Sequence, residues 1–244
     1  ITTLAENSPA GTVVGVPMLG TDPDDGDLLL YSIAGGDDLG FFSINPHSAV
    51  VQVADGAEID FETRSSFNLQ IAATDYCPGD CTVTRLKGNL STSSGMLVVI
   101  KDVNEPPELV GTACSLDERV AVGTQCDHTT EKKIKELVTD QDANEEFTFS
   151  FRVGAGSYSQ TTADGTFEID EKTGIVSTSG SILDYETKPL YRLTVVAFDS
   201  DAAVSNEVKL DVLVNDVNDP PVVADRYTVR VPENSLAGYR VGAP

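Results

Sequence analysis

Two carboxylate pairs occupy matching places in this chain, Asp60 and Glu62 around Phe61 and Asp184 and Glu186 around Tyr185. In an extended segment, residues two apart share one side, so each pair would set two acids together with an aromatic anchor behind. Such a pair can do general acid–base work, as in a glycoside hydrolase, or it can chelate a hard cation. An enzyme needs one special pair in one pocket. The same pair at matching positions in two stretches suits a repeated structural role. Two close, unpaired carboxylates repel, and a cation between them removes the repulsion.

Further oxygen ligands recur in register. Asp102-Val103-Asn104-Glu105-Pro106-Pro107 returns 114 residues later as Asp216-Val217-Asn218-Asp219-Pro220-Pro221. The double proline lacks backbone N–H groups and favours an extended chain, so this reads as a stiff linker carrying oxygen ligands. Glu6 is followed five residues later by Gly11, Glu118 by Gly123 and Glu233 by Gly238. Acidic loops follow at Asp22-Pro23-Asp24-Asp25-Gly26 and at Asp140-Gln141-Asp142, each after an apolar segment. Asp75 and Asp199 each lie 13 residues beyond Glu62 and Glu186. Matches at a domain-sized interval mark a tandem repeat. The expected units are residues 1–105, residues 106–219 and the start of a third over 220–244.

Composition narrows the function classes. The 244 residues carry 39 acidic and 16 basic side chains, a formal net charge of −23, which argues against nucleic acid or an anionic membrane as partner. Hydrophobic content of 40% suits folded cores. No apolar run approaches the roughly 20 residues of a membrane span. The chain opens ITTLAENS and closes VGAP, inside strand-like patterns, and reads as a segment of a longer protein.

Cys77 and Cys81 bracket Pro-Gly-Asp, and Cys114 and Cys126 are 12 apart. Neither pair has zinc-site spacing. Cys77–Cys81 and Cys114–Cys126 are the simplest disulfides, although four cysteines allow other connectivities. Disulfides imply an oxidising compartment, and the Asn89-Leu90-Ser91 glycosylation sequon points the same way. His47 and His128 are isolated and read as surface residues.

The elements that must position these groups are strands. Leu28–Ile33 and Phe147–Val153 correspond, as do Phe67–Thr74 and Tyr191–Phe198, and Met96–Ile100 and Val208–Val214. Phe147, Phe149 and Phe151 alternate with polar residues, which predicts one buried and one wet face. Short strands are expected at Phe42–Ile44, Val50–Val53, Phe167–Ile169 and Ile175–Ser177. About seven short strands in about 110 residues predict an all-β chain of tandem Greek-key β-sandwiches.

Taken together and in order, these motifs resemble tandem cadherin repeats over essentially the whole chain. The resemblance implies a rod with about three calcium ions at each complete junction. At the first junction it implies ligation by Glu6, Asp60 and Glu62 above, by the Val103 carbonyl, Asn104 and Glu105 in the linker, and by Asp140, Asp142 and Asp199 below, with a carbonyl near Asn144. At the second it implies Glu118, Asp184, Glu186, Val217, Asn218 and Asp219. Asp22, Asp24 and Asp75 would serve a junction whose upper half precedes Ile1. The chain departs from the family pattern in three places. Proline directly follows Glu105 and Asp219, making each linker one residue short; Glu105 replaces the usual Asp; and Glu118 is not followed by Asn. No tryptophan is present to support tip-to-tip strand exchange. The implied role is an extracellular calcium-stiffened segment of a cell-adhesion or surface protein, binding neighbouring repeats and a homophilic or heterophilic protein partner. The alternative is a subunit of an extracellular filament or matrix packed laterally, with the cysteine loops as contacts.

Overall fold

The computed structural model describes residues 1–23, 28–76, 90–128, 132–223 and 228–241. The first repeat contains β1 (Thr2–Ala5), β2 (Leu28–Gly35), β3 (Phe42–Ile44), β4 (Val51–Val53), β5 (Ser66–Tyr76) and β6 (Ser91–Lys101). Its main sheet runs β1-β6-β5-β2, with β1 parallel to β6 and the other pairs antiparallel. The β3–β4 hairpin faces it, extended by residues 11–14: Gly11 and Val14 donate to the carbonyls of Val53 and Val51. Alternation along β5 sends Phe67, Leu69 and Ile71 inward to meet Val98 and Ile100 of β6 and Val51 and Val53 of β4 in one core.

The second repeat follows the same plan with β7 (Glu108–Leu109), β8 (Thr112–Asp117), β9 (Val138–Thr139), β10 (Thr148–Gly154), β11 (Ser157–Ser159), β12 (Phe167–Ile169), β13 (Val176–Thr178), β14 (Leu190–Phe198) and β15 (Val208–Asn215). Its main sheet runs β11-β10-β14-β15-β8, with β8 parallel to β15, opposite the β12–β13 hairpin. A separate core gathers Leu116, Phe149, Phe151, Phe167, Leu183, Val195 and Val212. Both repeats are β-sandwiches. Cys114 in β8 is disulfide-bonded to Cys126, with 5.7 Å between Cα atoms, and Cys126 donates its N–H to the Val176 carbonyl of the opposite hairpin. The bond therefore staples the two layers.

Phe149 and Phe151 are buried, but Ser150 between them is buried too, because its hydroxyl accepts a hydrogen bond from Gln160 Nε2 at 3.0 Å. The face opposite the phenylalanines is thus covered at Ser150, while Thr148 and Arg152 stay half-buried. Asp60–Glu62 and Asp184–Glu186 are not extended. Each lies at the start of a turn closed by Arg64 N–H to the Asp60 carbonyl at 3.0 Å and by Lys188 N–H to the Asp184 carbonyl at 2.9 Å. Asp24, the Cys77–Cys81 pair and Asn89 lie outside the described residues.

The turn after the first strand is built the same way three times. Asn7, Arg119 and Asn234 have φ of 55°, 56° and 60°, and Gly11, Gly123 and Gly238 have φ of 82°, 86° and 92°. The left-handed conformation is one that asparagine and glycine adopt at little cost. Local sequence therefore sets this turn, even over 228–241, where the described residues carry no strand.

Candidate cation-binding junctions

Glu6 anchors the first junction. It sits just past β1, only 3% exposed, and its carboxylate spans two chain segments. Oε2 accepts the Phe61 N–H at 2.7 Å and Oε1 accepts the Val103 N–H at 2.7 Å. This bracket draws the 60–64 turn and the linker together. Asp60 caps the turn, with Oδ1 accepting from Thr63 N–H at 2.9 Å and Oδ2 from Thr63 Oγ1 at 2.8 Å. Arg64 closes the far side by stacking its guanidinium 4.3 Å above the Phe67 ring, which meets Phe42 edge-on at 4.9 Å. With both ends pinned, Glu62 points at the linker.

Glu6, Glu62 and Glu105 offer oxygens within 4.8 Å of one another, and so do Glu62, Asp102 and Asp142. The second set draws on both repeats and the linker. More links cross the junction: the Glu105 N–H donates to Asp142 Oδ2 at 2.9 Å, and Asn104 Nδ2 donates to Asp199 Oδ2 at 2.9 Å. Asp140 Oδ1 accepts the Asp142 N–H at 3.0 Å, folding the acidic loop toward the linker. Asp199 is buried at the end of β14, its Oδ1 held by the Ala203 N–H at 2.8 Å. Asn144 lies two residues beyond Asp142 with φ of 66°, exposed.

The electrostatics are unfavourable without a cation. Burial pushes the Glu62 carboxyl above its ordinary value, and Glu6, Asp102 and Glu105 push it further. Asp102 is raised by burial and by Asp142 and Glu6. Glu105 is raised by burial against the opposing hydrogen bond from Asn7, and Asp140 by burial, with Asp142 and Asp199 adding. Among the described residues, Glu105 Oε2 and Asp140 Oδ2 are buried and accept no hydrogen bond. Orphaned anionic oxygens in an all-oxygen donor set fit a hard divalent cation and not a soft one. Asp102 is absent from the ligand set expected from sequence. It heads the repeated Asp-Val-Asn motif, so the signal was present.

The second junction repeats the frame. Glu118, buried, accepts the Val217 N–H at 2.9 Å and the Tyr185 N–H at 3.2 Å. Asp184 is capped by Thr187 N–H at 3.2 Å and Thr187 Oγ1 at 2.8 Å, and Lys188 Nζ lies 3.9 Å above the Tyr191 ring. Glu118, Glu186 and Asp219 form the third oxygen cluster, with Asn218 between Asp219 and Val217 in the exposed linker. Glu118 is lowered by the Val217 N–H first, then by Tyr185 and Arg119, and Asp184 is lowered by Thr187, as Asp60 is by Thr63 at the first junction. At the amino-terminal end, Asp75 accepts the Leu90 N–H at 2.6 Å and lines one depression with Asp22.

Residues 2–93 and 114–215 each match the Cadherin domain. The chain is 27% identical to human Cadherin-23 over 98% of its length and 32% identical to mouse Protocadherin Fat 4 over 97%, covering 7% and 4% of those proteins. The chain thus spans a small part of the curated relatives it matches. Its structure resembles the crystal structure of mouse Cadherin-23 EC22-24 with a TM-score of 0.56 and 28% identity, over 88% of this chain and 62% of that one. These relatives are extracellular adhesion proteins and not enzymes, so the acid pairs at 60–62 and 184–186 are not hydrolase centres. Two tandem matches, two β-sandwich cores and an oxygen-lined junction between them make this an extracellular chain that belongs to the cadherin family.

Proposed function

We propose that the chain is a rod segment of a cell-adhesion or surface protein in which calcium at the junctions couples one repeat to the next. The units are residues 1–105 and 106–219, with a third beginning at 220. The observation that carries this reading is the Glu62, Asp102 and Asp142 cluster, three carboxylates from two repeats and their linker within 4.8 Å. Glu6, Asp60, Glu62, Asp102, the Val103 carbonyl, Asn104 and Glu105 would hold the ions from above, and Asp140, Asp142, Asp199 and a carbonyl near Asn144 from below. Glu118, Asp184, Glu186, Val217, Asn218 and Asp219 would do so at the second junction, and Asp22, Asp24 and Asp75 at the amino-terminal end. Bound calcium supplies the positive charge that offsets these acids and a shared coordination shell that links the repeats.

The chain's own groups do the rest. Glu6 draws turn and linker together, Thr63 orients Asp60, and the prolines keep the linker extended. The partners are neighbouring cadherin repeats, in the same chain or in another. Calcium titration with small-angle scattering tests the reading. Saturation in the 10⁻⁴–10⁻³ M range, the usual range of extracellular modules, should come with a change from a flexible to an extended shape. Glu62→Ala and Asp142→Ala should each abolish the extension. A shape indifferent to calcium would overturn the proposal and leave the fold intact.

A further inference from the structure

The acidic cluster at the second junction already holds a charged guanidinium. Arg119 Nη2 donates to Glu118 Oε1 at 2.7 Å and to the Val217 carbonyl at 2.8 Å, and Nη1 pairs with Asp219. One guanidinium thereby engages three of the oxygen groups that the cation reading assigns to calcium at this junction. In the first repeat the same backbone position belongs to Asn7. The two residues share φ, at 55° and 56°, and the same anchor, with Asn7 N–H donating to the Ile59 carbonyl at 2.8 Å and Arg119 N–H to the Leu183 carbonyl at 2.9 Å. Their side chains leave from the same place with different charge. Asn7 brings none and donates to Glu105 Oε1 at 2.5 Å.

We propose that Arg119 is a tethered counter-ion that competes with divalent cations for the second junction, so the residue after each motif glutamate sets how strongly that junction depends on calcium. The inference rests on the cation reading above. A guanidinium stays charged throughout the physiological range and its planar fork suits carboxylates, so it is a persistent competitor. It is also displaceable, because the Arg119 side chain is 42% exposed and can swing into solvent without unpacking the core. Glu118, Glu186, Val217 and Asp219 all lie before the third repeat, so the competition does not need that repeat. The first junction requires calcium from outside. The second carries part of its neutralisation covalently and yields it only at higher calcium.

Calorimetric titration with calcium and luminescence titration with terbium, on the full 244-residue chain, test this. Arg119→Asn should add a binding event or tighten the weaker class of sites by about tenfold, equivalent to about 1.4 kcal/mol. Asparagine accepts the left-handed backbone better than arginine, so this variant should fold. Adding Glu186→Gln to it should remove the gain, which assigns the gain to the second junction. Asn7→Arg should weaken the first junction by a similar factor. If the parent chain binds calcium and Arg119→Asn changes neither the number of sites nor their midpoints, the counter-ion role is wrong and the junction reading survives. If the parent chain binds no calcium, both fall.

Discussion

Glu6 and Glu118 occupy equivalent frames with different charged neighbours. Each is buried, and each accepts one N–H from its linker and one from the turn bearing the acid pair. Around Glu6 the neighbours are further acids, and the carboxyls of Glu62, Asp102 and Glu105 are pushed up. Around Glu118 the Val217 and Tyr185 N–H groups pull the carboxyl down, with Arg119 adding to them. The backbone scaffold is therefore independent of how the charge is balanced. Hydrogen bonds from main-chain N–H groups build the frame, and one side chain decides whether the charge inside it is compensated from within the chain.

Breaking the frame should have the largest effect. Glu6→Ala removes two hydrogen bonds to a buried carboxylate and strands the Phe61 and Val103 N–H groups, so the first repeat should lose about 3–5 kcal/mol in urea unfolding. A loss below about 1 kcal/mol would show that the bracket is ornamental. The disulfide marks the next difference. Cys114 and Cys126 bridge the layers of the second repeat, whereas the equivalent positions in the first hold Thr2 and Val14. Replacing both cysteines with serine should cost the second repeat about 3 kcal/mol, the value for closing a loop of that length, and leave the first transition in place.

The smallest effect is the pH dependence in chelator, where mild acidification should separate the two junctions. Groups raised in the folded state, Glu62, Asp102, Glu105 and Asp140, stabilise most below their unfolded values. They lose that contribution as pH rises through their raised values. Groups lowered in the folded state, Asp60 at the first junction and Glu118 and Asp184 at the second, stabilise above their unfolded values and lose that contribution as pH falls through their lowered ones. Mild acidification without calcium should tighten the first junction, and stronger acid should loosen the 60–64 turn as well as the second junction. Amide hydrogen exchange at Val103 and Val217 reads the two separately. Equal tightening of both under mild acid would mean that Arg119 does not distinguish them.

Repetition made much of this visible in the sequence. The strands lie close to where alternation placed them, since residues such as Phe67, Leu69 and Ile71 can alternate inward only if extended. The family could be read from the linkers and the acid motifs. What could not be read depends on contacts between distant residues. The 60–62 segment looked extended because its pattern alternates, but Asp60 finds Thr63 and folds it into a turn. Ser150 looked wet until Gln160 covered it. Arg119 looked like a departure from a motif, and only the linker's return to Glu118, about 100 residues along, gave it partners. Asp102 is legible in the sequence as the first acid of the repeated Asp-Val-Asn motif.

The parallel pairing of β1 with β6 and of β8 with β15 has a mechanical consequence. In each repeat the entering and leaving strands lie side by side and point the same way. Tension between the two ends drags them past each other and loads their ladder in shear, so the bonds must give way together and not peel off singly. Four residue pairs hold the first clamp, Thr2↔Val98 to Ala5↔Lys101, and six hold the second, Leu210↔Thr112 to Asn215↔Asp117. On ladder length, the first repeat should yield under load before the second.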